Sequence, residues 1–333
     1  MDDTYHLLER RPYPATLSLV IPMYNEESVV DLLRAEVSKF LEEVRCETEV
    51  LLVNDGSSDK TLPKIAAWAA ADSRIKIVHL SRNFGHQVAA TAGLDYARGD
   101  AIALMDADLQ DPLCVIHQMI DRYCDGYDVV YGQREARRGE SVLKRFTAWA
   151  FYRLMRAMVY RSLPLDAGDF RLMSRQCLNG LQSMHETHRF LRGMVAWVGY
   201  PQCAVKYVRA PRAGGHTKYP LRKMLFFAWT AATSFSVLPL HVSLLLGILV
   251  GLLGIEEGIR ALLAVSLGWY TVPGWTSLMV VTCAIGSALL ISLGILGQYT
   301  GRIYEQSKER PLYLVSRTFN IGQATRVPPD RRE

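Results

Sequence analysis

Two aspartates one residue apart, Asp106 and Asp108, follow an apolar stretch that is typical of a buried strand, Ala101–Leu104. Residues i and i+2 of a strand face the same side, so both carboxylates can reach one ion, and Gln110 offers a neutral oxygen from the turn beyond. Oxygen ligands of this kind suit Mg²⁺ or Mn²⁺ rather than zinc. The same pattern also occurs in solvated turns and helix caps. Read as chemistry, the spacing predicts a cation site that holds a diphosphate, such as that of a nucleotide sugar.

The elements that must position these side chains follow from hydrophobic periodicity. Apolar, β-branched runs predict strands, and apolar positions at helical spacing predict the helices between them. We expect strands at 16–21, 49–53, 75–80 and directly before Asp106, with helices at 27–44, 60–71 and 86–97. This alternation predicts an α/β domain with a mostly parallel sheet, which binds ligands at the carboxyl ends of its strands.

Three polar segments fall at such carboxyl ends, at residues 22–26, 54–59 and 106–111. Their shared position is harder to obtain by chance than any one motif. The first strand is not followed by Gly-x-Gly-x-x-Gly, and the chain has no Walker lysine loop. These two observations argue against a dinucleotide-binding domain and against a P-loop protein.

The C-terminal part contains two long stretches, from Met224 to Ile255 and from Ala261 to Gly301, that lack Asp, Glu, Lys and Arg. Each exceeds the about 20 residues that cross a bilayer, so two transmembrane helices are predicted, over about 234–258 and 275–299. A pair of buried core helices is the other interpretation. Lys and Arg flank both stretches and only Arg260 lies between them, so both ends and the preceding domain are expected in the cytosol.

Composition narrows the class of protein further. The chain has 50% hydrophobic residues, a formal net charge of +5 and six cysteines without a Cys-x-x-Cys pair. The cysteines are therefore interpreted as reduced packing residues, and no signal peptide is predicted. Basic and aromatic residues from Arg134 to Arg161 recur at helical spacing, which fits a helix on an anionic membrane or one packed on the globular domain. Two adjacent spans favour lipid headgroups over nucleic acid.

Several motifs together carry a family resemblance. They lie at residues 20–26, 53–61, 106–110, 167–172, 186–193 and 212–219. The first three resemble, in order and spacing, the signature of the family 2 inverting glycosyltransferases with the GT-A fold. The later three, followed by two spans, are similar to the polyprenyl-phosphate glycosyltransferases, which include dolichol-phosphate mannose synthases and bactoprenol glucosyltransferases.

The resemblance implies a domain organisation. A GT-A (Rossmann-like, mostly parallel) catalytic domain is expected over 1–230, with amphipathic interface helices near 140–160 and 218–232. A transmembrane helical hairpin over 231–302 and a cytoplasmic tail over 303–333 would follow.

The resemblance also implies roles for residues. The donor nucleotide would be surrounded by Pro22, Tyr24, Glu26, Asp55, Asp106 and Ala107. Mg²⁺ or Mn²⁺ would be held by Asp108, Gln110 and Asp106. Two anions must approach each other, so cations are needed, and the candidates for acceptor and phosphate contacts are Arg134, Arg145, Arg171 and Thr217. The residues expected to carry catalysis are Asp108, Asp169, Arg212 and Lys218.

Two of the roles have more than one interpretation. Asp169 could orient a cationic partner, act as a base on the acceptor or cap a turn, and an acceptor-side role is favoured. Glu186, Arg189 and Arg192, on a predicted helix, could hold the acceptor loop through charged hydrogen bonds or form a surface ion pair.

The expected function is inverting, metal-dependent transfer of a hexose to a polyprenyl phosphate at the cytoplasmic membrane face. Glucose and UDP-glucose are favoured, and mannose, N-acetylhexosamine and aminoarabinose are the alternatives. The expected partners are the donor, the lipid and the membrane, with no nucleic acid and a possible homo-oligomer. A processive polysaccharide synthase is disfavoured because the chain lacks Gln-x-x-Arg-Trp. A non-catalytic scaffold for the lipid carrier and a protein acceptor stay open.

Overall fold

A computed structural model describes residues 8–134, 167–208, 238–267 and 274–322. The chain divides into two compact units. Unit 1 comprises residues 1–156, 160–219 and 311–333, and unit 2 comprises residues 157–159 and 220–310.

The described part of unit 1 is built around one sheet with helices. The strands are β1 (Thr16–Met23), β2 (Glu47–Asn54), β3 (Ile75–Leu80), β4 (Ala101–Leu104), β5 (Val129–Arg134), β6 (Ala167–Ser174), β7 (Gln202–Tyr207) and β8 (Val315–Phe319). The helices are α1 (Val30–Glu43), α2 (Thr61–Ala71), α3 (His86–Tyr96), α4 (Cys114–Cys124), α5 (Arg175–Gln182) and α6 (Leu191–Val198).

The strand order of the sheet is β7-β5-β6-β4-β1-β2-β3-β8. The pairs β1–β2, β1–β4, β2–β3 and β5–β7 are parallel, whereas β3–β8, β4–β6 and β5–β6 are antiparallel. The predicted α/β fold with a mostly parallel sheet is therefore confirmed. Its parallel centre, β4-β1-β2-β3, is built from the strands that the periodicity predicted.

The sheet has helices on both faces, which explains the nearly continuous apolar composition of β1. Seven of its eight residues are buried. Leu19 and Ile21 belong to a core cluster with Leu33 and Val37 of α1. Val20, between them in sequence, faces α3 instead, because a Cβ added to Gly93 of α3 would come within 2.3 Å of its side chain.

The first helix begins later than the periodicity predicted, at Val30 rather than at residue 27. The backbone carbonyl of Glu26 accepts hydrogen bonds from the N–H groups of Val29 and Val30, which close a turn before the helix. The residues between β1 and Val30 therefore form a loop at the carboxyl end of β1 and are not part of the helix.

The segment predicted as a C-terminal tail contributes a strand to the eight-stranded sheet. Strand β8 pairs antiparallel with β3 and covers that edge. The hydroxyl of Tyr313 donates a hydrogen bond to Asp95 (2.9 Å), and the side-chain amide of Asn320 donates to the carbonyls of Ala69 and Ile75. Covering an edge strand in this way protects its unpaired backbone groups.

Two long helices form the described part of unit 2, α7 (Leu238–Ser266) and α8 (Trp275–Ser307). Of the described residues, Ala284–Ser307 within α8 is long and apolar enough to cross a membrane, and Ser243–Glu256 within α7 is a shorter apolar segment. One of the two predicted spans thus has a matching helix, and the second stays a prediction. The predicted interface helices near 140–160 and 218–232 lie outside the described residues.

Candidate active site

Three polar segments of the sequence meet at one edge of the sheet, because β1 lies between β4 and β2. The backbone N–H of Met105 donates to the carbonyl of Val20 (3.1 Å), and the N–H of Asp55 donates to the carbonyl of Met23 (2.9 Å). The carboxyl ends of the three strands therefore lie side by side. This is the position where parallel α/β sheets bind their ligands.

The loops after β1 and β2 are joined to each other by hydrogen bonds. The side-chain oxygen of Asn25 accepts from the N–H of Ser58 (2.8 Å), and its own N–H donates to Ser57 (3.0 Å). Asn25 has a positive φ of 54°, which Asn tolerates better than most residues. The neighbouring Tyr24 is 46% exposed, whereas Pro22 is buried within β1.

The carboxylate of Asp55 orders the loop that follows β3. Its two oxygens accept hydrogen bonds from the backbone N–H groups of Phe84 (2.7 Å) and Gly85 (2.9 Å). Burial raises the pKa of Asp55, and these two donors offset part of that increase. A Cβ on the adjacent Gly56, which has φ +66°, would come within 2.4 Å of the Arg82 backbone, so the loop approaches as closely as only glycine permits.

The predicted cation-binding residues form a tight, buried turn after β4. Asp108 Oδ1 accepts a hydrogen bond from the backbone N–H of Gln110 (3.2 Å), and both side chains are buried. Leu109 between them has a φ of 55°, an unfavourable backbone conformation for a leucine. The turn ends at Asp111, whose carboxylate accepts a hydrogen bond from the hydroxyl of Tyr207 in β7.

His86 links the turn after β4 to the carboxylate of Asp169. Its Nε2 atom lies 3.4 Å from Asp106 Oδ1 and 3.4 Å from Asp169 Oδ2, and its side chain is 44% exposed. Burial lowers the pKa of His86, but the two carboxylates outweigh it and leave the pKa raised. The pKa of Asp106 is raised by burial and by neighbouring carboxylates, and His86 offsets only part of this rise.

Asp169 lies at this same edge because β6 runs antiparallel to β4, with Leu104 opposite Arg171. The Asp169 carboxylate, 5% exposed, accepts hydrogen bonds from Arg192 Nε (2.8 Å) and Gln87 Nε2 (3.0 Å). Burial alone would raise the pKa of Asp169, but His86, Arg192 and Arg171 outweigh burial and hold the pKa far below its usual range.

Arg171, a predicted phosphate contact, is buried beneath this carboxylate. Its guanidinium donates to the carbonyls of Gly168 (3.1 Å) and Asp169 (3.3 Å) and lies 3.8 Å from Asp169 Oδ1. Burial lowers the pKa of Arg171 to about 10. With 4% exposure, its observed contacts are those of a residue that supports Asp169.

Several of the predicted phosphate and catalytic contacts have no described side chain. Arg145, Arg212, Thr217 and Lys218 lie outside the described residues. Arg134 is described by its backbone, which is paired with Tyr207 at the end of β5 and β7. The structure therefore brings together the donor-side residues with Asp169 and Arg192.

The structure adds His86 and Gln87 to the site, which the sequence analysis placed only at the start of a predicted helix. A signal was available, since they follow the carboxyl end of β3 after a loop that contains Gly85. Like the three polar segments, these residues follow the carboxyl end of a strand, which is where α/β sheets bind their ligands.

A metal ion bound by protein side chains needs several ligands that converge on one point. Within 8–134, 167–208, 238–267 and 274–322, no three His, Cys, Asp or Glu side chains form a group that could hold a metal. Asp106 Oδ1 is nevertheless buried and accepts no hydrogen bond from the described residues, although His86 lies nearby. A buried carboxylate oxygen that accepts no hydrogen bond is suited to bind a cation.

The fold and the family match together define this protein as a GT-A-like α/β glycosyltransferase. The model of the family described as Glycosyl transferase family 2 matches residues 18–181. The glycosyltransferase YkcC of Bacillus subtilis is 42% identical over 304 residues, 91% of this chain and 94% of that protein. The chain therefore belongs to glycosyl transferase family 2, as the sequence motifs predicted.

Two further comparisons describe its neighbours. The prophage bactoprenol glucosyl transferase homolog of Escherichia coli K12 is 38% identical over 301 residues, 90% of this chain and 98% of that protein. The crystal structure of glucosyl-3-phosphoglycerate synthase from Mycobacterium tuberculosis with Mn²⁺, UDP-glucose and phosphoglyceric acid is 17% identical, with a TM-score of 0.46 over 66% of this chain and 78% of that one.

Proposed function

We propose that this protein transfers glucose from UDP-glucose to a polyprenyl phosphate at the cytoplasmic membrane face, with inversion at the sugar carbon. The observation that carries the proposal is the meeting of the Asp106–Asp108 turn with Asp169 and Arg192 at one sheet edge. A relative that covers nearly the whole chain is named a bactoprenol glucosyl transferase homolog, which supports this acceptor and this sugar. UDP as the nucleotide rests on the family resemblance.

A divalent cation, Mg²⁺ or Mn²⁺, fits the oxygen ligands of the turn after β4. Asp108, Gln110 and Asp106 would hold it, and the buried Oδ1 of Asp106 supports this assignment. When bound, such a cation neutralises charge on the departing nucleoside diphosphate. The turn itself is held in place by hydrogen bonds to the carboxylates of Asp108 and Asp111.

The donor nucleotide is proposed to bind over the ends of β1 and β2, against Tyr24, Glu26 and Asp55, with Pro22 and Ala107 in the wall. Asp55 uses its oxygens to hold the loop after β3. A carboxylate has about four lone-pair positions, so Asp55 can still accept a hydrogen bond from a base or a ribose.

The acceptor is proposed to bind beside Asp169. The phosphate of a polyprenyl phosphate is already anionic at neutral pH, so positioning and charge balance matter more than a strong base. Asp169 is paired with Arg192 and has a depressed pKa, which makes it a weak base and favours a role in orienting cations. Arg134, Arg145, Arg212, Thr217 and Lys218 are the proposed phosphate contacts.

The chain connectivity supports two membrane spans rather than one. Strands β3 and β8 pair within one sheet and so lie on the same side of any membrane. The segment between residues 208 and 311 must then cross an even number of times. If Ala284–Ser307 spans the bilayer, a second crossing is required, and α7, with 29 residues, is about 43 Å long and exceeds the about 30 Å hydrocarbon core. A homo-oligomer stays a prediction.

A transfer assay tests the proposed reaction. Detergent-purified protein would be incubated with undecaprenyl phosphate, Mg²⁺ or Mn²⁺ and radiolabelled UDP-glucose, and label would be measured in the butanol phase. We expect label in the lipid with the wild-type protein, and a loss of at least about 100-fold for Asp108→Asn, the scale of removing one electrostatic contact in a transition state. Asp125→Asn, at the exposed end of α4, is the matched control and should transfer normally.

Other outcomes of this assay have distinct meanings. Label in the lipid only with another nucleotide sugar would replace glucose by that sugar. Label in protein, or none with any donor, would favour the protein-acceptor or scaffold interpretation. Full transfer by Asp108→Asn would contradict the assignment of the cation ligands.

A further inference from the structure

The side chain of Gln87 connects three separate elements of the site. Its Nε2 donates to Asp169 Oδ2 in β6 (3.0 Å), and its Oε1 accepts from the backbone N–H of Leu191 (3.0 Å), the first residue of α6. Its backbone carbonyl accepts from the hydroxyl of Thr91 within α3 (2.8 Å). Gln87 thus joins α3, β6 and α6 through residues far apart in the chain.

The contact with Leu191 supplies a cap that α6 otherwise lacks. The first N–H groups of a helix have no partner within the helix. Phe190, at the N-cap position of α6, makes no side-chain capping hydrogen bond. The amide oxygen of Gln87 takes that role from 104 residues away in sequence.

The side-chain amide of Gln87 also connects Asp169 to the helix that carries Arg192. Arg192 follows Leu191 in α6 and donates to the Asp169 carboxylate (2.8 Å). Gln87 therefore holds the carboxylate directly and also holds the start of the helix that carries its cationic partner. A displacement of Gln87 would change the position of Asp169 and Arg192 together.

We propose that Gln87 is a positioning residue for the transfer reaction, which sets the placement of Asp169 and Arg192 on the acceptor side. This inference rests on the proposed function. The position requires one donor and one acceptor at the end of a side chain of this length, which a glutamine amide provides and a carboxylate does not.

The test is the nearly isosteric variant Gln87→Glu. It keeps an oxygen for the Leu191 N–H but places a second carboxylate oxygen against Asp169, where like charges repel. We expect kcat/KM for undecaprenyl phosphate to fall by about tenfold or more, since small misplacements of reacting groups cost up to about 100-fold. Binding of UDP, measured by calorimetry, should stay at the wild-type value.

Gln202→Glu is the matched control. The Gln202 side chain, in β7, is also partly buried, and its Nε2 donates to the backbone carbonyl of Val195 (3.2 Å) rather than to a carboxylate. It should retain wild-type transfer to the lipid. Gln87→Met, which introduces no charge, is the second variant, and it should lose transfer with UDP binding intact.

A double variant separates positioning from general stability. In Gln87→Glu with Asp169→Asn, the new amide can donate to the new carboxylate, so the two losses should not add. Wild-type kcat/KM in both Gln87 variants, or equal losses in UDP binding and lipid transfer, would overturn the proposal. A wild-type protein that transfers no sugar to the lipid would instead contradict the proposed function, whatever the Gln87 variants do.

Discussion

The carboxyl groups of Asp106 and Asp169, which both lie near His86, have pKa values shifted in opposite directions. Asp106 lies among other carboxylates, so its pKa is raised by burial and by their charge. Asp169 is buried too, yet His86, Arg192 and Arg171 keep its pKa depressed. The two pKa values differ because the carboxylate of Asp169 has more positively charged and hydrogen-bond-donating neighbours than that of Asp106. Asp106 therefore gains most from a bound cation, whereas Asp169 already has cationic partners within the protein.

At the same scale, Tyr207 is expected to hold the proposed cation-binding turn through Asp111. Tyr207→Phe keeps the ring and its edge contact with Phe170 but removes the hydroxyl from a buried carboxylate. Loss of one such partner costs about 1–3 kcal/mol. We expect a lower melting temperature and a higher Mn²⁺ concentration for half-maximal transfer.

Tyr96 provides the control for this change. It is 6% exposed, close to the 5% of Tyr207, and lies on α3. Tyr96→Phe should leave the Mn²⁺ dependence unchanged. An unchanged Mn²⁺ dependence in Tyr207→Phe as well would show that Asp111 does not need the hydroxyl to keep the turn in place.

At the scale of elements, helix α3 carries His86 and Gln87 at its first turn, so its distance from the sheet determines where they lie. Gly93 permits close contact, because a Cβ there would lie 2.3 Å from Val20 and 2.8 Å from Val53. Both valines are fully buried and cannot move aside easily. Because Gly93 has no Cβ, α3 can pack close to the sheet, and this close packing helps to set the positions of His86 and Gln87 at its first turn.

Gly93→Ala is expected to destabilise unit 1 by about 1–3 kcal/mol, as overpacking of a core does. It should also reduce transfer, because α3 must shift outward with His86 and Gln87. Thermal unfolding and the lipid transfer assay measure the two effects. Gly251→Ala, in α7 where an added Cβ meets nothing within 4 Å, should not lower stability. Equal behaviour of the two variants would contradict a packing role for Gly93.

At the scale of the whole molecule, the chain leaves the catalytic sheet, passes through α7 and α8, and returns to pair β8 with β3. Unit 1 is therefore discontinuous in sequence, with residues 311–333 completing it. In the proposed membrane topology, this return requires both ends of the segment that contains α7 and α8 to lie on one side. The excess of Lys and Arg on its flanks favours the cytosol.

Reporter fusions test this topology. Alkaline phosphatase, which is active only outside the cytosol, should be inactive after residue 333 and active when inserted between residues 267 and 274. A fluorescent protein that matures in the cytosol should show the reverse pattern. Active phosphatase at the C-terminus would contradict an even number of crossings and with it the shared side of β3 and β8.

Local pattern was sufficient for much of the fold. The strands β1 to β4 could be predicted from short apolar, β-branched runs, and helices α2 and α3 from apolar positions at helical spacing, because both signals are local in the sequence. The pairing of β8 with β3 did not follow, since β8 is short and mostly exposed and its partner lies more than 200 residues earlier. Strand order depends on long-range packing that local pattern does not encode.

The site, like the fold, has a part that the local sequence predicted and a part that it did not. Asp106 and Asp108 could be recognised because their relation, two residues apart at a strand end, is local. The contacts of Asp169 with His86 and Gln87 join residues about 80 positions apart and exist only because β6 lies beside β4 and α3 follows β3. Residue type and spacing therefore determined which donor-side residues could be predicted, whereas the partners of Asp169 depended on tertiary structure, because burial and charge at a carboxylate come from whatever the fold packs around it.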